Sequence, residues 1–187
     1  GTGSVRHAIY NYTDPGDSIL VSDWYWKPYV TISEEFGRKV SHYKLFNDKN
    51  EFNIESFKEN FELLLNKQKR LVTVINTPAQ NPTGYSLSDE EWKQVLDIMI
   101  ENAKNKENRI ILFVDAAYIE FAGKGNERKR FFSQFSNLPE NILVIVGYSL
   151  SKGYTMYGMR QGAAIGISSN KDIADEFYYS CAHSNRA

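Results

Sequence analysis

Short runs of Val, Ile, Leu and Phe alternate along this chain with stretches in which apolar residues recur every three or four positions. The runs fall at 18–22, 39–45, 70–75, 110–115, 142–148 and 162–167. Most are nearly continuous in apolar residues, the pattern of strands buried on both faces of a sheet. Between them, 54–66 places Phe57, Phe61, Leu64 and Leu65 on one helical face and Glu55, Lys58, Glu59 and Glu62 on the other. Ser88-Asp89-Glu90-Glu91 has the spacing of a capping box, and Trp92, Val95, Leu96, Met99 and Ile100 follow at helical intervals. The pattern also predicts helices over 27–36, 129–135 and 171–179, and a polar, basic loop over 123–130. Strands that alternate with helices imply an α/β fold, a mainly parallel sheet with helices on both faces in three layers.

Composition narrows the class of partner. A chain of 187 residues is long enough to bury a core and falls within the range of one domain. Twenty-two Lys plus Arg against 23 Asp plus Glu leave a net charge of -1, without the basic footprint of a nucleic-acid binder. A small molecule is the expected partner. Cys181 is the single cysteine, so an internal disulfide is excluded and a reducing, cytoplasmic setting is favoured. No apolar run approaches the roughly 18 residues of a membrane span. His7, His42 and His183 lack the spacing of metal ligands, and no metal is expected.

Ligands of parallel sheets bind beyond the carboxyl ends of the strands, and three polar motifs follow three of the predicted strands. These are Asn81-Pro82-Thr83-Gly84, then Asp115-Ala116-Ala117-Tyr118, then Ser149-Leu150-Ser151-Lys152-Gly153 with Arg160 eight positions beyond the lysine. A lysine in such a place can form an imine with a carbonyl compound, provided that its amine is partly unprotonated, which burial and neighbouring cations can arrange. Each motif also has a plainer reading: a turn asparagine, an aspartate capping the next turn, a core tyrosine, a surface lysine or arginine.

In their order and separations these motifs resemble the class I/II aminotransferases, pyridoxal-phosphate enzymes of fold type I, and the likeness to their large, cofactor-binding domain covers the whole chain. Gly1-Thr2-Gly3 is similar to the phosphate-binding turn of that family and Trp24-Tyr25-Trp26 to its ring-stacking segment. The resemblance implies pyridoxal 5'-phosphate as cofactor, with Lys152 as the Schiff-base lysine that later moves a proton at the substrate's α carbon. It implies Asp115 on the pyridine nitrogen, and Tyr118 with Asn81 on the cofactor's O3'. Arg160, Ser149, Ser151, Gly1 and Thr2 would hold the phosphate, and Trp26 would stack on the ring, with Trp24 as the alternative. Catalysis would rest on Lys152, Asp115 and Tyr118.

The family resemblance also implies a homodimer and a protein about twice this length, with an N-terminal arm and a C-terminal small domain that carries the arginine for the substrate carboxylate. Residues 1–187 are accordingly expected to be the large domain alone, inactive in isolation. Gly1–Ser4 is either part of the native turn or a remnant of expression. The implied function is transfer of an amino group between an amino acid and a 2-oxo acid. A lyase of the same fold shares the lysine, aspartate, tyrosine and arginine; a non-catalytic alternative is the ligand-sensing domain of a transcriptional regulator that borrowed the fold, which an upstream winged-helix segment would reveal.

Overall fold

The computed structural model describes residues 1–123, 125 and 127–186; positions 124 and 126 of the expected basic loop, and position 187, lie outside the described residues. Six strands form one sheet in the order β2-β1-β3-β4-β5-β6. They are β1 (Ser18–Ser22), β2 (Lys39–Tyr43), β3 (Arg70–Asn76), β4 (Arg109–Asp115), β5 (Ile142–Ser149) and β6 (Gly162–Ile167). The first five pair in parallel, and β6 runs antiparallel to β5.

Helices cover both faces. Helices α3 (Ile54–Gln68) and α4 (Asp89–Ala103) pack Phe57, Phe61, Trp92, Val95 and Met99 against Leu71, Leu112 and Val144 of the sheet. On the opposite face α1 (Thr2–Tyr12), α2 (Pro28–Glu35) and α6 (Lys171–Ser184) bury Val5, Ile9, Tyr29 and Phe177 against Val74, Phe113 and Ile145. Residues alternating along β3, β4 and β5 therefore feed two separate cores, which is why those strands read as continuous apolar runs. The three-layer α/β expectation holds. Among the described residues no helix is long and apolar enough to cross a membrane.

Local chemistry sets the boundaries. Asn53 caps α3, its side chain accepting from the Ser56 amide at 3.0 Å. The capping box of α4 forms as its sequence predicts. The segment 129–135 is helical but 3₁₀ in kind, over Glu127–Phe135, and docks Phe131 and Phe135 on Trp92 at 5.7 and 5.3 Å between ring centroids.

β6 departs from the reading of strands buried on both faces, since Ile165 remains 49% exposed. Its direction has a physical cause. The connection from β5 contains a single helical turn, α5 (Leu150–Gly153), and a 3₁₀ turn, Tyr157–Met159, too little structure to cross the sheet and return in parallel.

Candidate active site

Chain order runs β1 to β2 on one side of the sheet and then β3 on the other, so the sheet opens a crevice beside the carboxyl ends of β1 and β3. A cavity of about 390 Å³ lies at the carboxyl ends of the strands, within the range of roughly 300–1,000 Å³ typical of ligand pockets. The polar residues that the three sequence motifs single out line it: Asn81 after β3, Asp115 and Tyr118 at the end of β4, Ser149 ending β5, and Ser151, Lys152 and Arg160 beyond. Gly1 and Thr2 reach it from the start of α1, and Trp26 from the loop after β1. Trp24 is outside that lining and 53% exposed, so the geometry favours Trp26 of the two.

Asp115 forms the buried floor. Its Oδ2 accepts from the Tyr29 hydroxyl at 2.5 Å and its Oδ1 from the Ala117 amide at 3.2 Å. Burial pushes its carboxyl above the usual range, and the hydrogen bonds from Tyr29 and Ala117 only partly oppose this. The Tyr29 phenol is raised in turn, by burial first and then by Asp115. Tyr29 also meets Trp26 edge to face at 5.4 Å, tying the floor to the aromatic wall.

Asn76, the last residue of β3, joins the strand ends. Its amide donates to the Asp115 carbonyl at 2.8 Å, and its Oδ1 accepts from the Asn81 backbone at 2.7 Å. Buried Gln80 secures the neighbouring loops, donating to the Trp24 carbonyl at 2.6 Å and accepting from the Thr83 hydroxyl, also at 2.6 Å. The Asn81 amide lies 3.5 Å from the Tyr118 hydroxyl.

The cationic side is more open. Lys152 donates to the Tyr157 hydroxyl, and its Nζ stands 4.5 Å from the Tyr157 ring centroid and 5.5 Å from that of Tyr118. Its amine is raised above the ordinary 10.5, chiefly by the Tyr157 hydrogen bond and against the smaller effect of burial. The depressed amine expected from sequence is thus reversed, because two tyrosines rather than cations face it. Arg160 is exposed, with left-handed backbone at φ 52°, and donates to the Tyr157 carbonyl at 3.1 Å. Gly162 lets α1 approach, since a Cβ there would stand 2.4 Å from the Gly1 nitrogen.

Sequence reading missed Tyr29, Asn76, Gln80 and Tyr157. Asn76 was discoverable, as the polar residue that ends an apolar run; Tyr157 lies between Lys152 and Arg160 and invited the question of what it fills. Nothing in sequence distinguishes Tyr29 from a core aromatic. Among the described residues no group of three or more His, Cys, Asp or Glu is placed to hold a metal ion; the His7 ring hydrogen-bonds Asn185 at 2.9 Å. The arrangement offers an amine nucleophile, a buried carboxylate, and a guanidinium with hydroxyls and a helix terminus, a set suited to an anionic ligand that carries a carbonyl and a basic nitrogen.

The family model for aminotransferase class I and II matches residues 1–186. The chain belongs to this family. It is 31% identical over 178 residues to an aromatic-amino-acid aminotransferase of Pseudomonas aeruginosa, covering 92% of this chain and 41% of that protein. The crystal structure of an aminotransferase from Anaerococcus prevotii superposes with a TM-score of 0.97 at 49% identity, over 99% of this chain and 45% of that one. An aromatic-amino-acid aminotransferase from Burkholderia pseudomallei, solved covalently bound to pyridoxal phosphate, gives 0.71 at 26% identity, over 96% and 42%. The chain therefore spans less than half the length of these aminotransferases.

Proposed function

We propose that this chain is the cofactor-holding large domain of an aminotransferase that moves an amino group between an amino acid and a 2-oxo acid with pyridoxal 5'-phosphate. The observation that carries the reading is the convergence of Asn81, of Asp115, and of Lys152 with Arg160, from three separate segments, on one cavity in a chain of this family. The residues fit that cofactor. A buried carboxylate whose charge is unfavourable alone is suited to a protonated ring nitrogen, because an opposite charge at contact offsets the cost of burial. Arg160, Ser149, Ser151 and the start of α1 with Gly1 and Thr2 are suited to a phosphate.

When bound, the cofactor supplies an aldehyde for an amine to capture and a ring that draws electron density from the substrate's α carbon. Asp115 would hold a proton on the ring nitrogen, Asn81 and Tyr118 would donate to the phenolic oxygen, Trp26 would lie against the ring, and the Lys152 amine would move a proton at the substrate's α carbon. The same proposal includes a homodimer and a cytoplasmic setting, the latter supported by the free thiol of Cys181.

The test is reconstitution with pyridoxal phosphate, borohydride reduction and peptide mapping, with equilibrium dialysis of two variants. The label is expected on Lys152. Arg160→Ala is expected to weaken binding about tenfold to a hundredfold, the loss of a charge-assisted contact worth roughly 1.5–3 kcal/mol, and more than Asp115→Asn does. Label on another residue, or unchanged affinity in Arg160→Ala, would overturn the assignment.

A further inference from the structure

The sequence motifs leave Tyr157 without a role, yet its hydroxyl is the group that Lys152 touches. Its ring is 52% exposed and so does little for the core. The loop that carries it is held in a costly backbone instead: Thr155 and Arg160, on either side, both adopt left-handed angles, φ 53° and 52°. Arg160 further fixes the turn through its bond to the Tyr157 carbonyl. With Tyr118 on the other side, the Lys152 ammonium lies against two π faces and one phenolic oxygen.

We propose that Tyr157 is the resting partner of Lys152, holding its amine as ammonium whenever the lysine is not bonded to another group and governing its release for reaction. This rests on the reading of Lys152 as the lysine that captures the cofactor's aldehyde. Capture requires a neutral amine, because a protonated one has no electron pair to offer. The Tyr157 hydrogen bond is the largest cause of the raised amine of Lys152. Other groups face the same site. Tyr118 and Glu120 lie on the segment packed against α5, Tyr148 near the end of β5 donates to Glu120, Asp115 lies on the floor, and Arg160 and the Gly1 amine line the cavity. Tyr118 joins Tyr157 among the partners that raise the Lys152 amine.

The experiment measures the rate at which pyridoxal phosphate is captured, by timed borohydride trapping across neutral to alkaline pH, in the wild-type chain, Tyr157→Phe and Tyr157→Gln. Phenylalanine keeps the ring and removes the hydroxyl; glutamine restores an acceptor without the ring. In Tyr157→Phe the half-maximal pH should fall by about half a unit to one unit, so that capture at neutral pH quickens about threefold to tenfold. Tyr157→Gln should lie nearer to wild type. Trapped label must map to Lys152 in all three. An unchanged or raised half-maximal pH in Tyr157→Phe, with label on Lys152, overturns the inference; so does a rate lowered equally at every pH. Label on any other group, the Gly1 amine included, overturns the reading of Lys152 instead.

Discussion

Asp115 is held where its charge is least welcome. Burial raises its carboxyl above the ordinary 3.8 despite the Tyr29 hydrogen bond. Between the ordinary and the raised value the folded chain binds more protons than the unfolded one, so stability falls as pH rises through that window and stays reduced above it. Asp115→Asn removes the charge yet keeps an acceptor for the Tyr29 hydroxyl. Without cofactor, this variant should melt above wild type at neutral pH, by roughly 2–4 °C for each kcal/mol relieved in a domain of this size. The gap should vanish in acid below the ordinary carboxyl value. Calorimetry that finds wild type the more stable at neutral pH would mean that the Tyr29 bond outweighs burial. The aspartate was legible in sequence because it ends an apolar run and starts a motif. Tyr29, 86 positions earlier, was not, because only the fold brings an aromatic in the first turn of α2 to that carboxylate.

The elements were read best where one short pattern states both boundary and face. Helix α4 is the clearest case, and its capping box does more than its sequence announces. Glu91 accepts from the Ser88 amide at 2.7 Å and, through its other oxygen, from the Phe52 amide at 3.0 Å and the Tyr85 hydroxyl at 2.5 Å. It thereby anchors the segment before α3 as well as its own helix. Burial works against the ionised form, but these donors outweigh it and hold the carboxyl below the ordinary 4.5, while Tyr85 is pushed up to about 12 by burial and by Glu91. Ser88→Ala should cost about 1 kcal/mol, an ordinary cap loss. Glu91→Ala should cost about 2–3 kcal/mol, since it leaves several donors without their acceptor. Because the folded carboxyl is depressed, its contribution is complete above 4.5 and lost as pH falls through the lower folded value. Glu91→Gln should therefore flatten the acid limb of a urea-unfolding series, and an unaltered limb would contradict the assignment. The direction of β6 was less legible, because it depends on what the preceding connection fails to span.

At the scale of the molecule, parallel pairing of five strands gathers motifs from 81, 115 and 149–160 at one end of the sheet, which is why three separate polar stretches could be read as one pocket. What the sequence could not show is how that pocket is walled. The floor is buried at Asp115, Ser149 and Ser151, whereas the side formed by the loop after Lys152 stands open, with Tyr154, Met156 and Arg160 exposed and Met159 exposed at 56%. Lys152, half-buried and proposed to move a proton, borders that open side. Among the lining residues the cationic side chains are Lys152 and Arg160, one read as nucleophile and the other as phosphate partner, which leaves no guanidinium there for a substrate carboxylate. Proton transfer at the α carbon demands a fixed substrate, and displacement by about 1 Å can cost on the order of a hundredfold. Closure that excludes water contributes further. The 187-residue chain saturated with pyridoxal phosphate should thus capture cofactor at Lys152 yet fail to turn over. A coupled assay with aspartate, alanine and aromatic amino acids against 2-oxoglutarate decides the matter. Turnover near about one per second, the low end of ordinary enzymes, would show that the open wall is no obstacle and that the groups already in this cavity suffice to hold a substrate.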